Sequence, residues 1–388
     1  MISCIYCSTE KFKEGQGSEE HAILSSLGGK KASRNICCQK CNNSLGDDID
    51  KVVSEEFAFI SNFANIKTGR KKAPKTIKSA GVMSDLEFEL KPGGLPHFSK
   101  VKFESNEIDE NSVQGSIVAR SPEEAIRLVE AFAKKHGKSI DDVKDANIRL
   151  VSDYDIPKVQ GTLKLGGEPF FRSITKMMLT YLATLCHHSR LRDGSFDEAI
   201  AYIKGDSNQE LQVTHDYVSE YPKTELDNEI SHLIFVFADP KTGVVFCGLR
   251  LFGYLQFSAK LTETWSGGEI KKCHQVDPVS GETLDFDLES LPVSINELAL
   301  NMGNDSEKFE QAINSLMSAV FKAQQKAAIA RTTEQAIEEA FAKQNFEDLT
   351  EDNLGEFVET IVGHVKAQMF RGTVTQEVSI EQLKRMKK

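Results

Sequence analysis

The sequence predicts an α+β chain in three parts: an N-terminal zinc-stapled module, a mixed α/β middle domain with antiparallel strands, and a helical C-terminal region. Three observations carry this. Two Cys-x-x-Cys pairs, Cys4/Cys7 and Cys38/Cys41, frame the N-terminal stretch. Period-two apolar runs alternate with helical periods from about residue 85 to 290, and only helical periods follow. At 388 residues the chain exceeds one ordinary core, so two or three domains are expected. The expected divisions are a module over 1–60, a basic linker over 61–84, the mixed domain over 85–290 and the helical region over 291–388.

Two knuckles some thirty residues apart can close on one tetrahedral Zn²⁺ through Cys4, Cys7, Cys38 and Cys41. A module of about 55 residues buries too little apolar surface to be stable unaided, so structural zinc is the expected staple. Between the knuckles, His21 to Leu24 reads as a strand, Gly28-Gly29 as a permissive turn, and Asn35 to Cys38 as the return. Asn42 or Asn43 then caps a helix on which Ile49, Val52, Val53 and Phe57 share one face. Asn42 is thereby set on the first turn of a helix facing Glu20 and His21.

The order Cys-x2-Cys, Glu20-His21-Ala22-Ile23, Gly28-Gly29, Asn35, Cys-x2-Cys-Asn42-Asn43 resembles the HNH endonuclease family, also called ββα-metal or treble-clef nucleases. The likeness covers roughly residues 1 to 60. It implies a ββα-metal fold and metal-dependent hydrolysis of DNA phosphodiesters. His21 would be the general base, Glu20 and Asn42 the ligands of one catalytic Mg²⁺ or Mn²⁺, and Asn35 the residue that orients His21. Glu20 stands where Asp is commoner and Asn42 where His is frequent, and both still offer oxygen ligands to a hard cation. By analogy, a chain of this length carrying such a module resembles effectors of bacterial anti-phage defence or restriction. A zinc-dependent nucleic-acid binder without catalysis, or a regulatory subunit acting within a complex, is the alternative.

The formal charge of −11 argues superficially against a polyanionic partner. Its distribution argues otherwise: residues 1–80 hold 13 Lys/Arg against 9 Asp/Glu, an excess of 4, so the remainder carries −15. DNA, or RNA, would be steered to the basic end. Residues 66–78 hold six basic residues and no acid. They form either a solvated linker or a phosphate-contacting arm through Lys67, Arg70, Lys71 and Lys72. Lys30, Lys31 and Arg34 flank the hairpin turn as further backbone contacts. No apolar run reaches membrane-spanning length and no signal region opens the chain, so a soluble cytoplasmic protein with no membrane partner is expected. The four cysteines outside the knuckles lack a disulfide spacing.

In the middle domain, Val101 to Glu104 and Ser112 to Ala119 are strand-like, and Ser121 caps a helix that begins at Pro122 and runs to Lys135. Residues 169–188 predict an amphipathic helix with Phe171, Ile174, Met178, Tyr181 and Leu182 on one face, and 196–204 a third helix. Leu233 to Ala238 and Val244 to Leu249 predict a hairpin, and Leu249 to Leu261 alternates as one half-buried strand. Phe309, Ile313, Leu316, Val320, Ala323 and Ala327 form a short heptad seam, and Leu354 to Met369 a further amphipathic helix. These pack on their own chain, or serve a homo-oligomer or a protein partner. Cys186-His187-His188 has ligand composition, but it ends a helix, where cationic residues also favour the dipole. Asp47, Asp48 and Asp50 either add to the metal's surroundings or are solvated.

Overall fold

The computed structural model describes residues 1–83, 86–100, 102–109, 112–119, 122–139, 148–153, 159, 161–206, 211–223, 225–226, 228–288, 295–344, 350–370 and 373–378. They gather into two compact units, Met1–Lys75 with Thr162–Lys322 and Thr76–Gly161 with Ala323–Lys388. Antiparallel sheets, a helical C-terminal region and the N-terminal cysteine cluster are all present, as expected of the α+β class.

In the first unit, β1 (Ile2–Ser3) pairs with β2 (Lys11–Phe12) across the first knuckle. Next, β3 (Glu20–His21) pairs with β4 (Ala32–Ser33), Glu20 opposite Ser33 and His21 opposite Ala32. The strand expected through Leu24 stops at His21. Ala22, Ile23 and Leu24 are all buried, which an alternating half-exposed strand forbids, and a 3-10 turn follows at Ser25–Leu27. The glycine pair is required there: Gly28 has φ +89°, and a Cβ on Gly29 would lie 1.9 Å from the Ile23 carbonyl oxygen. The helix begins earlier than expected. α1 (Gln39–Leu45) is capped by Cys38, whose Sγ accepts from the Cys41 amide at 3.5 Å, so a zinc-knuckle sulfur replaces the asparagine oxygen. A wider turn at Gly46–Asp50 leads into α2 (Lys51–Glu56) and α3 (Ala58–Phe63), with Ile49, Val53 and Phe57 fully buried and Val52 half-buried.

The second unit starts with the sheet β5 (Ile77–Met83), β6 (Leu86–Lys91) and β7 (Leu95–Phe98). A hairpin of β8 (Lys102–Asp109) and β9 (Ser112–Val118) follows, then α4 (Pro122–Lys135) and β10 (Ile148–Asp153). Val101 and the Ser121 cap lie outside the described residues.

The chain then returns to the first unit with α5 (Glu168–Leu185) and α6 (Asp197–Lys204). A six-stranded sheet follows in the order β11 (Val213–His215), β14 (Leu255–Thr262), β13 (Val244–Leu251), β12 (His232–Asp239), β15 (Ile270–Val276) and β16 (Thr283–Asp287). The single strand expected over Leu249–Leu261 is two strands, β13 and β14, broken where Phe252 and Gly253 take φ +54° and +80°. Leu251 and Leu255 pair across that turn, so the alternation continues through it and hides it. One face of the sheet, with Leu233, Phe235, Phe237 and Phe246, packs on α7 (Ile295–Asn301). The alternate residues Ile234 and Val236 are equally buried, and α5 packs on β12, β13 and β14.

α5 also contacts β3, β4, α2 and the Gly46–Asp50 turn, and is therefore shared between module and sheet. All of Arg172–Ala183 is buried, so the expected one-faced helix is covered all round, with only Phe171 of its expected face half-buried. α8 (Ser306–Gln344) begins in this unit, and within the second unit it meets α9 (Glu351–Phe370) through His364–Glu339 at 3.0 Å and an edge-on Phe341–Phe357 pair. β17 (Thr373–Val378) closes on β10.

Candidate active site and zinc centre

The knuckles bring the ligand sulfurs of Cys4, Cys7, Cys38 and Cys41 within 4.8 Å of one another, a donor set that suits one tetrahedral zinc. Backbone amides shape the turns, Ser8 donating to the Cys4 carbonyl at 3.0 Å and Thr9 to that of Cys7 at 2.7 Å. Burial pushes the Cys4 thiol up. At Cys7 burial pushes the same way, but hydrogen bonds from the Thr9 side chain and from the Glu10 and Thr9 amides outweigh it and lower the thiol to about 6. The Cys7 thiolate is therefore accessible at neutral pH, whereas burial and the neighbouring thiols push Cys41 up.

Because β3 is extended, Glu20 points to one side while Glu19 and His21 point to the other. Glu20 points inward and is 3% exposed. Its Oε1 accepts from Lys176 Nζ of α5 at 2.5 Å, and Lys176 also donates to Asp50 Oδ2 at 2.6 Å. Ser173 Oγ donates to Asp50 Oδ1 at 2.8 Å, Arg172 donates to Asp48 Oδ2 at 3.2 Å, and the Cys37 thiol lies 3.6 Å from Glu20 Oε2. Burial alone would depress the wholly buried Lys176, yet the two carboxylates override it and hold the ammonium protonated. Burial, with Asp50 beside it, raises Glu20 although Lys176 pulls it down.

The opposite face of β3 meets solvent. His21 is half-buried, and burial lowers its pKa; Glu19 opposes that shift and Arg70 reinforces it. Glu19 receives Arg34 at 3.1 Å and Arg70 at 3.4 Å. Burial would raise its carboxyl, but His21, Arg34 and Arg70 hold it low. Asn42 sits in α1 with its Nδ2 donating to Ser18 Oγ at 2.6 Å and to the Glu19 carbonyl at 3.1 Å, which pins α1 to β3. Its Oδ1 has no hydrogen-bond partner among the described residues. Asn35 is committed elsewhere: Oδ1 accepts from the Gly15 amide at 2.7 Å, and its carbonyl from Arg192 at 2.9 Å.

His21, Glu19, Arg34, Arg70 and Asn42 thus come together, while Glu20 and Asn35 serve other partners. Lys30 donates to the Gly281 carbonyl, and Lys31 pairs with Asp285 at 2.6 Å over the Tyr181 ring, which docks the hairpin turn on the sheet. Lys67, Arg70, Lys71 and Lys72 are exposed on a tight loop. That loop is closed by the Lys71 amide on the Thr68 carbonyl at 2.7 Å and stapled by the Gly69 amide to Ser25 at 2.9 Å. Among the residues sequence reasoning passed over, Lys176 is the most consequential. Its signal was the polar stripe Arg172, Ser173, Lys176 and Thr180 on α5, which resembles a solvent face and is instead buried, its first three residues bonding to the module.

A hairpin and helix stapled by two cysteine knuckles, with a histidine on the open face, define a small zinc-knuckle module. Residues 4–58 match the family model described as HNH endonuclease, the part of the chain that the likeness covers. No curated protein and no solved structure matches the chain. No helix among the described residues is long and apolar enough to cross a membrane.

Proposed function

We propose that the chain is an endonuclease that hydrolyses phosphodiester bonds of DNA at the His21 face of its HNH module. The observation that carries this is the family match over residues 4–58, with His21 held half-buried between Glu19 and Arg70. Burial favours the neutral imidazole, the form able to take a proton from the attacking water at pH 7. Arg34 and Arg70, paired with Glu19 in the resting site, would exchange that carboxylate for phosphate oxygens. Lys67, Lys71 and Lys72 would add affinity independent of sequence. RNA presents the same phosphates and is the second substrate class.

Such chemistry calls on Mg²⁺ or Mn²⁺ to polarise the phosphate. Asn42 suits that ion, having an unpartnered Oδ1. Glu20 does not fit it, since its carboxylate is buried on Lys176. The same observation favours the second reading, a zinc-dependent binding or regulatory module without hydrolysis. An effector role in anti-phage defence or restriction is supported only by the likeness of the module. A second copy or a protein partner would dock on α9, where Leu354, Val358 and Met369 of the expected apolar face are exposed.

Cleavage of supercoiled plasmid by wild type and His21→Ala, with Mg²⁺ or Mn²⁺ and then with EDTA, tests the proposal after zinc content is matched. Cleavage abolished by the substitution and by chelation is expected. A wild type that binds DNA but never cuts it, or an undiminished variant, would overturn it.

A further inference from the structure

We propose a second metal site, separate from the four cysteines, formed by Glu14, His187 and His188 and suited to Zn²⁺ or a similar borderline transition ion. The ligand atoms of these three side chains lie within 4.8 Å of one another, although Glu14 is 173 residues from His187 in the chain. Two imidazoles and a carboxylate form a donor set that borderline divalent ions prefer, and three protein ligands leave a fourth position for water or an outside ligand.

Two further observations point to a ligand. His188 Nδ1 is buried and has no hydrogen-bond partner, an arrangement that costs free energy unless something binds there. The His187 and His188 rings lie with centroids 4.1 Å apart at 37° to one another, which brings two imidazoles to one spot. His187 Nδ1 lies 2.8 Å from Ser189 Oγ and accepts from the Ser189 amide at 3.3 Å; an ion on Nε2 selects the other tautomer, in which Nδ1–H donates to Ser189 Oγ and gives up the longer amide bond. A hydrogen bond on the other ring nitrogen is the usual orienting device of a metal-bound histidine.

The framework holding these side chains is built. The 3-10 turn His188–Arg192 follows α5, and Arg192 fastens it to the module by donating to the carbonyls of Ser3 at 2.7 Å and Asn35 at 2.9 Å, as well as to His188 at 2.6 Å. From the other side, Asn35 holds the Gly15 amide and so fixes the backbone next to Glu14. An ion here would link the loop after β2 to the end of α5. The site does not use His21 or depend on hydrolysis.

Metal analysis of the full-length protein, apo and reloaded with excess Zn²⁺ and then desalted, tests the site in wild type, Glu14→Gln and His187→Ala/His188→Ala. Two zinc ions per chain are expected in wild type and one in each variant. Retention of the four-cysteine ion reports that a variant has folded. Reloading with Co²⁺ assigns the ions: the variants should lose only the weaker bands of a nitrogen–oxygen site and keep the thiolate-to-cobalt charge transfer. One zinc per chain in wild type would overturn the proposal, as would a second ion that survives both substitutions.

Discussion

Replacing Lys176 by Met removes the only described cation between Glu20 and Asp50 and leaves two carboxylates in a core from which water is excluded. Removing one partner of a buried pair costs about 3–5 kcal/mol. The structure allows a tighter figure, because Glu20 can escape by taking up a proton. Counted from its ordinary value of 4.5, neutralising it costs about 2.5 pH units at pH 7, or about 3.4 kcal/mol, and only about 0.7 kcal/mol at pH 5; these are ceilings, because Glu20 is already raised in the wild type. Asp50 is 15% exposed and adds less, since water screens it. The sign follows from linkage. In the variant the folded-state pKa of Glu20 lies above its unfolded value, so the folded state binds more protons and stability falls as pH rises above 4.5. Lys176→Met should therefore lose up to about 3–4 kcal/mol at pH 7 and far less at pH 5, and adding Glu20→Gln should recover most of the loss. Urea unfolding can be followed by Trp265, the single tryptophan, which is 3% exposed in the same unit. A loss below about 1 kcal/mol, equal at both pH values, would show the pair to be hydrated as a surface pair is and would refute the reasoning.

Four other outcomes are expected. If His21 is the base, the plasmid-cleavage rate should rise with pH to a plateau whose midpoint lies below 6.5, because burial lowers its pKa; a midpoint above 6.5 would point to another group. Cys38→Ser should release zinc and uncap α1 together, seen as lost metal content and rapid proteolysis within residues 1–63. His232, fully buried with Nε2 on the Leu27 carbonyl and Nδ1 accepting from the Phe252 amide, is depressed by burial to about 4. Its stabilising contribution is complete above pH 6.5 and lost as pH falls through 4, by about 3 kcal/mol, and His232→Gln should flatten that acid limb in urea unfolding. Arg70→Ala should weaken DNA binding evenly across sequences and reduce the log–log salt slope by about 0.9; an unchanged slope would remove Arg70 from the interface.

The module was legible because its chemistry is written in residue types at fixed spacing: cysteines in pairs, a glycine pair where a Cβ would strike Ile23, and a histidine directly after two glutamates. The hairpin of β12 and β13 was legible because Asp239 to Gly243 has turn composition. What could not be seen were features defined by remote partners. Glu19 and Glu20 are the same residue type, and only the facing of β3 decides that one meets Arg34 and Arg70 while the other meets Lys176. Lys176, Asp48 and Asp50 look solvated one at a time and become intelligible only when α5 lies against the Gly46–Asp50 turn. The break at Phe252–Gly253 was hidden for the opposite reason, since apolar alternation runs straight across it.

The ties between the module and α5 bear on how the His21 face is controlled. Lys176 holds β3 from beneath through Glu20, and Asn42 holds it from α1 through the Glu19 carbonyl. His232 holds the Leu27 turn, while Asp285 (through Lys31) and Arg192 hold the flanking loops. Every one of these partners except Asn42 lies beyond residue 161, in the second stretch of the first unit. In a short N-terminal fragment zinc would still find the four cysteines, but nothing would supply a cation to Glu20. A fragment limited to residues 1–75 should bind zinc at the four cysteines and still expose Glu20 and Asp50 to water. There Glu20 would be open to Mg²⁺ or Mn²⁺ in a way the full chain does not allow. Cleavage by that fragment exceeding that of the full chain, and matched by full-length Lys176→Met, would make α5 the element that withholds the carboxylate. Equal metal dependence in all three would leave Lys176 a purely structural cation.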